Sequence, residues 1–185
     1  MRRLFALVIL IFLLIAVTGC TPEPARSQAV ETVPFIRFEE TQAFHTLYPS
    51  GWEAYILDKG IVLFAPPEVL EDKVPGPSLT VYRDAPADSI ETLSVLMDHF
   101  LDNGPMRADY LLTSSIQNTE VNGVQGLMVD FESTDPGDQI KGRIEMVRLD
   151  NQAVYYFIAS APHDVWDQEW FYLEQIIHQS VFIEN

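Results

Sequence analysis

Ala153-Val-Tyr-Tyr-Phe-Ile-Ala159 is apolar or aromatic at every position. A strand buried on one face alternates apolar with polar residues, so an unalternating run predicts a central strand with cover above and below. The chain before it reads as a meander that would pair with this strand. Tyr110 to Val121 is predicted as one strand, Asn122-Gly123 as a two-residue hairpin turn, Val124 to Glu132 as the next strand and Ile140 to Leu149 as its return. The turn between the last two, Ser133 to Gln139, is rich in Asp, Gly and Pro.

The pattern also predicts a register. With Val129 opposite Ile144 and Leu127 opposite Met146, one face is apolar. The same pairing sets Asp130 opposite Arg143 and Glu132 opposite Lys141 on the other face, and a slip of one residue would spoil both. The charged pairs are expected to be exposed, where each would contribute roughly 0–1 kcal/mol.

Cover for the central strand comes from two predicted helices. Residues 88–104 carry an apolar stripe at Ile90, Leu93, Met97, Phe100 and Leu101, with Asp88 as expected N-cap and Glu91 completing a capping box. Gly104-Pro105 would stop this helix through a left-handed glycine followed by a breaker. The second stripe, Trp166, Trp170, Leu173 and Ile177, follows Pro162, with His163-Asp164 expected to cap it. The N-terminal part adds short strands at Phe44–Tyr48, Trp52–Leu57, Ile61–Phe64 and Leu79–Tyr82. Turns are expected at Pro49-Ser50-Gly51 and Lys59-Gly60, and a loop over Pro66–Pro77. The fold class expected is α+β: a mostly antiparallel sheet with helices on both faces, an α/β/α sandwich, in a single domain over residues 35–185.

The residues before that domain have a different character. Met1-Arg2-Arg3 is followed by an unbroken apolar run, Leu4 to Val17. That run is short of the about 20 residues of a comfortable membrane span, and basic start plus short apolar run is the pattern of an export signal. It ends in Val17-Thr18-Gly19-Cys20, which resembles the bacterial lipobox. The resemblance implies thioether lipidation of Cys20, signal cleavage after Gly19 and acylation of the new amino terminus, so residues 1–19 would be a lipoprotein signal peptide. Residues 20–34 would be the lipidated Cys and a flexible tether, of about 20 Å root-mean-square span. Loss of residues 1–19 removes Arg2 and Arg3 and no acid, taking the formal charge from −16 to −18. Several acyl chains would anchor the protein stably to membrane lipid. The expected location is the bacterial cell envelope, lipid-anchored on the extracytoplasmic face.

Composition narrows the functional classes. With 27 acids against 11 bases the chain has no basic surface for a nucleic-acid backbone. One Cys allows neither an internal disulfide framework nor a thiolate metal cluster. His45, His99, His163 and His178 show no HxH or HExxH spacing, and His99, between Asp98 and Asp102, reads as a solvated residue. Asp130, Glu132, Asp135 and Asp138 cluster around a turn but lack the D-x-D-x-D-G pattern of a calcium loop. Ser50 lies in P-S-G-W rather than G-x-S-x-G, and Ser114-Ser115 reads as the solvent face of a strand. Trp52, Tyr55, Tyr155, Tyr156, Trp166 and Trp170 read as core; any of them exposed in a groove would become the default binding site. The sequence nominates no catalytic, cofactor-binding or metal-ligating residue.

The order of elements resembles the PsbP-like superfamily over Phe44 to Phe182. The resemblance is carried by Tyr48-Pro49-Ser50-Gly51-Trp52, a capped helix near Asp88, a hairpin through Gly123 and Gly126, the strand Val154-Tyr155-Tyr156 and a closing helix running into Ser180-Val181-Phe182. This superfamily includes an extrinsic photosystem II subunit, many bacterial lipoproteins and a Ran-binding nuclear import factor. The resemblance implies an antiparallel sheet between helices and a protein that binds or assembles with partners rather than one that catalyses. It transfers no functional residue. The expected function is a membrane-anchored, non-catalytic protein-binding or assembly module whose charge favours a basic partner. The alternative is a receptor for a small ligand or cation in a cleft of the domain. A hydrolase would need a nucleophile and base in contact, and none is nominated.

Overall fold

The structure, a computed structural model, describes residues 33–39, 43–57, 61–71, 74–84, 91–104, 110–134, 137 and 139–183. Gly19, Cys20, the tether as far as residue 32, the Lys59-Gly60 turn, Asp88, Ile90, Pro105, Asp135 and Asp138 lie outside the described residues.

The apolar run forms β10 (Val154–Pro162), and it is central as its pattern demands. It pairs antiparallel with β5 (Ser78–Asp84) on one side and β9 (Ile140–Arg148) on the other. The main sheet has eight strands in the order β3-β4-β5-β10-β9-β8-β6, with β7 also on β8. Here β3 is Glu53–Ile56, β4 Val62–Ala65, β6 Tyr110–Leu112, β7 Gln117–Val121 and β8 Val124–Ser133. The hairpin register is the expected one: Leu127 faces Met146, Val129 faces Ile144, Asp130 faces Arg143 and Glu132 faces Lys141. Asn122 (φ 47°) and Gly123 (φ 84°) supply the two positive φ angles that a tight hairpin turn requires.

Several expectations are corrected. The single strand predicted over Tyr110–Val121 is two, β6 and β7, both pairing with β8. In the break between them the Ser114 hydroxyl accepts the Asp130 N–H at 2.9 Å, so Ser114 is half-buried and structural rather than on a solvent face. The loop predicted over Pro66–Pro77 contains a short helix, α1 (Pro67–Glu71). The helix predicted over 88–104 is α2 (Leu93–Asn103), and its cap is Thr92, whose side chain accepts from Val95 N. Gly104 is not left-handed (φ −72°, ψ 172°). It stands where a Cβ would come within 2.3 Å of the Phe100 carbonyl oxygen, so close approach rather than φ requires the glycine. The last helix, α3 (Trp166–His178), begins after Val165 with no side-chain cap; Asp167 and Glu169 complement its first turn instead of His163-Asp164.

A second sheet was not expected. β1 (Phe35–Phe38), β2 (Phe44–Pro49) and β11 (Val181–Phe182) form a three-stranded antiparallel sheet in the order β1-β2-β11. It shares a face of the main sheet with α3. Phe38, Phe44, Phe64, Tyr155, Phe157, Leu173 and Ile176 make one continuous core there. The Tyr155 hydroxyl donates to Ala43 O at 2.9 Å, and the buried Thr46 and Ser180 hydroxyls both donate to Ile176 O. These bonds tie the small sheet to α3 and to the main sheet.

The opposite face packs under α2. Met97 and Phe100 meet Val129, Phe131, Ile144, Met146 and Tyr156. Gly142 makes room for this packing, because a Cβ there would lie 2.1 Å from the Phe131 ring. The helices therefore cover both faces, as expected.

Candidate functional site

The side chains of β5 and β10 alternate across the main sheet. Leu79, Val81, Tyr155 and Phe157 enter the core beneath α3. Thr80, Tyr82, Tyr156 and Ile158 point to the α2 side. α2 packs over β8, β9 and the near edge of β10, so the half of this face over β5 has no helix seated on it among the described residues. A groove of about 330 Å³ results, with Tyr82, Tyr156, Thr80 and Ile158 as its floor and Phe100, His99 and Asn103 as one wall. Ile61 and Asp84 lie at its margins. That volume is at the small end of the range for ligand pockets, roughly 300–1,000 Å³.

The aromatic rings of the groove are interlocked. Phe100 stacks on Tyr156 with centroids 4.2 Å apart and ring planes 18° from parallel. Tyr82 leans on Tyr156 at 5.8 Å. Burial, followed by the negative charge of Asp84 and by Tyr82, pushes the Tyr156 phenol up to about 12. Burial and Asp84 also raise Tyr82. Both phenols are therefore neutral hydroxyls at physiological pH, able to donate as well as accept hydrogen bonds. Among the described lining residues the one carboxylate is that of Asp84, an exposed residue.

The other face holds a different polar cluster. Glu145, on β9, is 1% exposed beneath α3. Its Oε2 accepts from the Thr119 hydroxyl at 2.9 Å, and its Oε1 lies 3.9 Å from His178 Nε2. Burial raises the Glu145 carboxyl; Thr119, His178 and Arg143 oppose that shift and Glu174 adds to it. Nearby, Arg143 donates to Asp130 at 2.7 Å and sits 4.5 Å from the centre of the Trp170 ring. The Asp130–Arg143 pair is thus partly covered, with side chains 33% and 24% exposed, where the sequence pattern placed it in open solvent. A shallow hollow of about 170 Å³ lies beside it, under Trp166.

The residues singled out from the sequence scatter across the fold. His99 and His163 are exposed, and His45 lies 3.3 Å from Arg37 Nη2. His178 approaches Glu145, which makes it the only one of the four near a buried carboxylate among the described residues. Ser50 is exposed at the end of β2. Among the described residues no group of three His, Cys, Asp or Glu side chains is placed to hold a metal ion. Tyr155 is core, whereas Tyr156 is core on one side and groove floor on the other. Trp52, Tyr55, Trp166 and Trp170 are half-buried. Sequence reasoning missed Thr80, Tyr82, Asp84 and Asn103, because nothing in a single strand or helix marks where a neighbouring helix stops covering the sheet.

No family model matches this chain, and no curated protein matches it. Solved structures do. The solution structure of cyanobacterial PsbP from Synechocystis sp. PCC 6803 aligns with a TM-score of 0.60 at 16% identity, covering 83% of this chain and 95% of that one. The Saccharomyces cerevisiae Ran-binding protein Mog1p aligns with a TM-score of 0.56 at 11% identity, covering 83% and 97%. LpqN of Mycobacterium tuberculosis, described as involved in cell envelope biogenesis, aligns with a TM-score of 0.54 at 11% identity, covering 82% and 87%. Identities this low establish architecture alone. The sheet between helices, its strand order and these alignments agree on one fold, and it is PsbP-like.

Proposed function

We propose that this chain is a non-catalytic binding or assembly module held on the extracytoplasmic face of a bacterial membrane by lipid on Cys20. The observation that carries the binding role is the unevenly covered main sheet. One face is filled by α3 and the small sheet, while on the other the described residues leave an aromatic-floored groove beside α2. Exposed apolar side chains on two of the outer strands of the sheet, Ile56 on β3 and Leu111 and Leu112 on β6, add contact surface of the kind partner proteins use. The fold is shared with a protein described as Ran-binding and with one described as involved in cell envelope biogenesis, which supports the reading. The excess of acids adds long-range attraction for basic partners.

The anchor rests on the lipobox-like Val17-Thr18-Gly19-Cys20 and the short apolar run before it. No helix among the described residues is long and apolar enough to cross a membrane. Feeding cells an alkyne-tagged palmitate should label the protein, and Cys20→Ala should abolish labelling and processing; labelling that persists in Cys20→Ala would refute the anchor. For the binding role, in-cell cross-linking of the full-length protein followed by mild-detergent purification should recover a stoichiometric partner. Recovery of the protein alone would sink the assembly role. A second reading, a receptor for a small ligand, is favoured by the size and aromatic lining of the groove.

A further inference from the structure

We infer that the hollow under Trp166, at the ends of β8 and β9 nearest their connecting turn, is a binding site for a neutral sugar ring. Trp166 meets the C–H face of the ring, and Asp130, Glu132, Lys141 and Arg143 meet its hydroxyls. The site lies on the α3 side of the main sheet, away from the groove beside α2, and is a function beyond the readings above.

Strand register assembles the polar side of this hollow. Asp130 stands opposite Arg143 and Glu132 opposite Lys141, so two acids of β8 face two bases of β9. Their neighbours Val129, Phe131 and Ile144 pack beneath α2, and alternation turns the four charged side chains to the other face. Asp130 and Arg143 are joined by one bond, from Arg143 Nε, and the guanidinium is steadied 4.5 Å from the centre of the Trp170 ring. Glu132 and Lys141 behave differently. Both are half-buried and directly opposed, yet the side chain of neither makes a hydrogen bond or an ion pair among the described residues. An acceptor and a donor are thus held side by side, with their bonding capacity left to solvent or a ligand.

The apolar side is Trp166. It borders the hollow and leans on Trp170, with centroids 5.3 Å apart and planes 30° from parallel, which fixes the indole in place. A ligand here must satisfy both signs of charge and one aromatic surface. A cation meets Lys141 and Arg143, an anion meets Asp130 and Glu132, and a metal ion sits beside an ammonium and a guanidinium. A purely apolar ligand takes water from four charged groups and returns no hydrogen bond. A zwitterion must compete with the bond that already joins Asp130 to Arg143. A hydroxyl is both donor and acceptor, so it adds to that pair without breaking it. One hydroxyl can also accept from Lys141 while donating to Glu132. Several hydroxyls on the edge of a ring and carbon-bound hydrogens on its face describe a pyranose. A hollow of about 170 Å³, below the roughly 300–1,000 Å³ of ordinary ligand pockets, takes a single ring.

The test titrates the full-length protein with the methyl glycosides of glucose, galactose, mannose and N-acetylglucosamine, and with L-alanine as a zwitterion. Binding is read by NMR from the tryptophan indole N–H signals, in polyoxyethylene-ether micelles, which carry no sugar. At least one glycoside should move the Trp166 signal saturably, and L-alanine should not. Glu132→Ala and Lys141→Ala should each weaken that glycoside about ten-fold, the loss of one charge-assisted bond. Trp166→Ala should abolish binding, and the two charge variants carry the test if that substitution loosens the start of α3. No saturable shift with any of the four glycosides would overturn the inference. So would tighter binding of L-alanine, or a glycoside affinity unchanged in both Glu132→Ala and Lys141→Ala. A glycoside that shifts the Tyr156 ring signals instead would place the sugar in the groove beside α2 and overturn this site.

Discussion

Phe157 and Ile158 are neighbours in β10 and point to opposite faces of the main sheet. Phe157 is fully buried among Phe44, Leu173 and Phe182, in a layer built jointly by a helix and a second sheet. Ile158 is half-buried at the groove, where α2 has stopped and nothing described replaces it. The difference teaches where this fold keeps its stability and where it keeps surface for recognition. Truncating the two residues separately is the most direct way to break the comparison. Phe157→Ala should cost about 3–5 kcal/mol, because the lost contacts leave a cavity that rigid neighbours on three elements cannot close. Ile158→Ala should cost roughly 1 kcal/mol, since much of that side chain already meets solvent. Urea titrations of both variants measure the gap directly. Equal costs would show that the groove face is as tightly built as the other and would remove the basis for a recognition site there.

What the sequence could show follows the range of the interactions. The register of β8 on β9 was legible because the apolar pair Val129–Ile144 and the charged pair Asp130–Arg143 impose the same alignment from opposite faces. The centrality of β10 was legible because an unalternating run has no other stable place in a sheet. The small sheet was not. β11 has two residues and β1 four, too few for a periodic signal, and β11 pairs with β2 across most of the chain. The cap of α2 was misread because Asp88 and Thr92 both offer a capping oxygen, and which is used depends on where the helix meets the sheet. The groove was invisible for a related reason. Tyr156 was readable as a core residue, but that it also floors a groove is a property of how far α2 reaches across the sheet.

The filled face carries a second contrast with the open one, in how each treats a carboxylate. Asp84 is exposed beside the groove, whereas Glu145 is enclosed beneath α3. Burial raises the folded-state carboxyl of Glu145 above its ordinary value near 4.5. The sign follows from linkage. Below the ordinary value the residue is protonated in both folded and unfolded chains, and its contribution is fully present. As pH rises through the raised folded-state value, ionisation favours the unfolded chain and that stability is lost. Glu145→Gln keeps a hydrogen-bonding partner for Thr119 and removes the ionisation. The variant should therefore gain stability relative to the native protein between weakly acidic and neutral pH, by less than Phe157→Ala loses. Paired thermal melts across that window decide it. A Gln variant that tracks the native protein at every pH would mean that His178, 3.9 Å away, and Arg143 fully offset the burial.

The smallest effect concerns the Asp130–Arg143 pair, which lies at the border between the filled face and solvent. The pair is short, at 2.7 Å, and Arg143 also rests on Trp170. An exposed pair would couple by less than 1 kcal/mol, and a fully enclosed one would incur a desolvation cost that can exceed the attraction. Partial cover on both sides places this pair between those limits. A double-mutant cycle through Asp130→Ala and Arg143→Ala should give a coupling of roughly 0.5–1 kcal/mol, reduced by added salt. Arg143→Ala alone should cost more than Asp130→Ala alone, because it also strips the cation from the Trp170 face. If the apolar side of the hairpin fixes the register, the double variant will keep the native near-ultraviolet spectrum and urea slope while losing this modest stability. A changed slope would place the alignment of β8 on β9 under the control of the ion pair instead, and would make the charged side of the hairpin, not the Val129–Ile144 side, the determinant of the fold's central register.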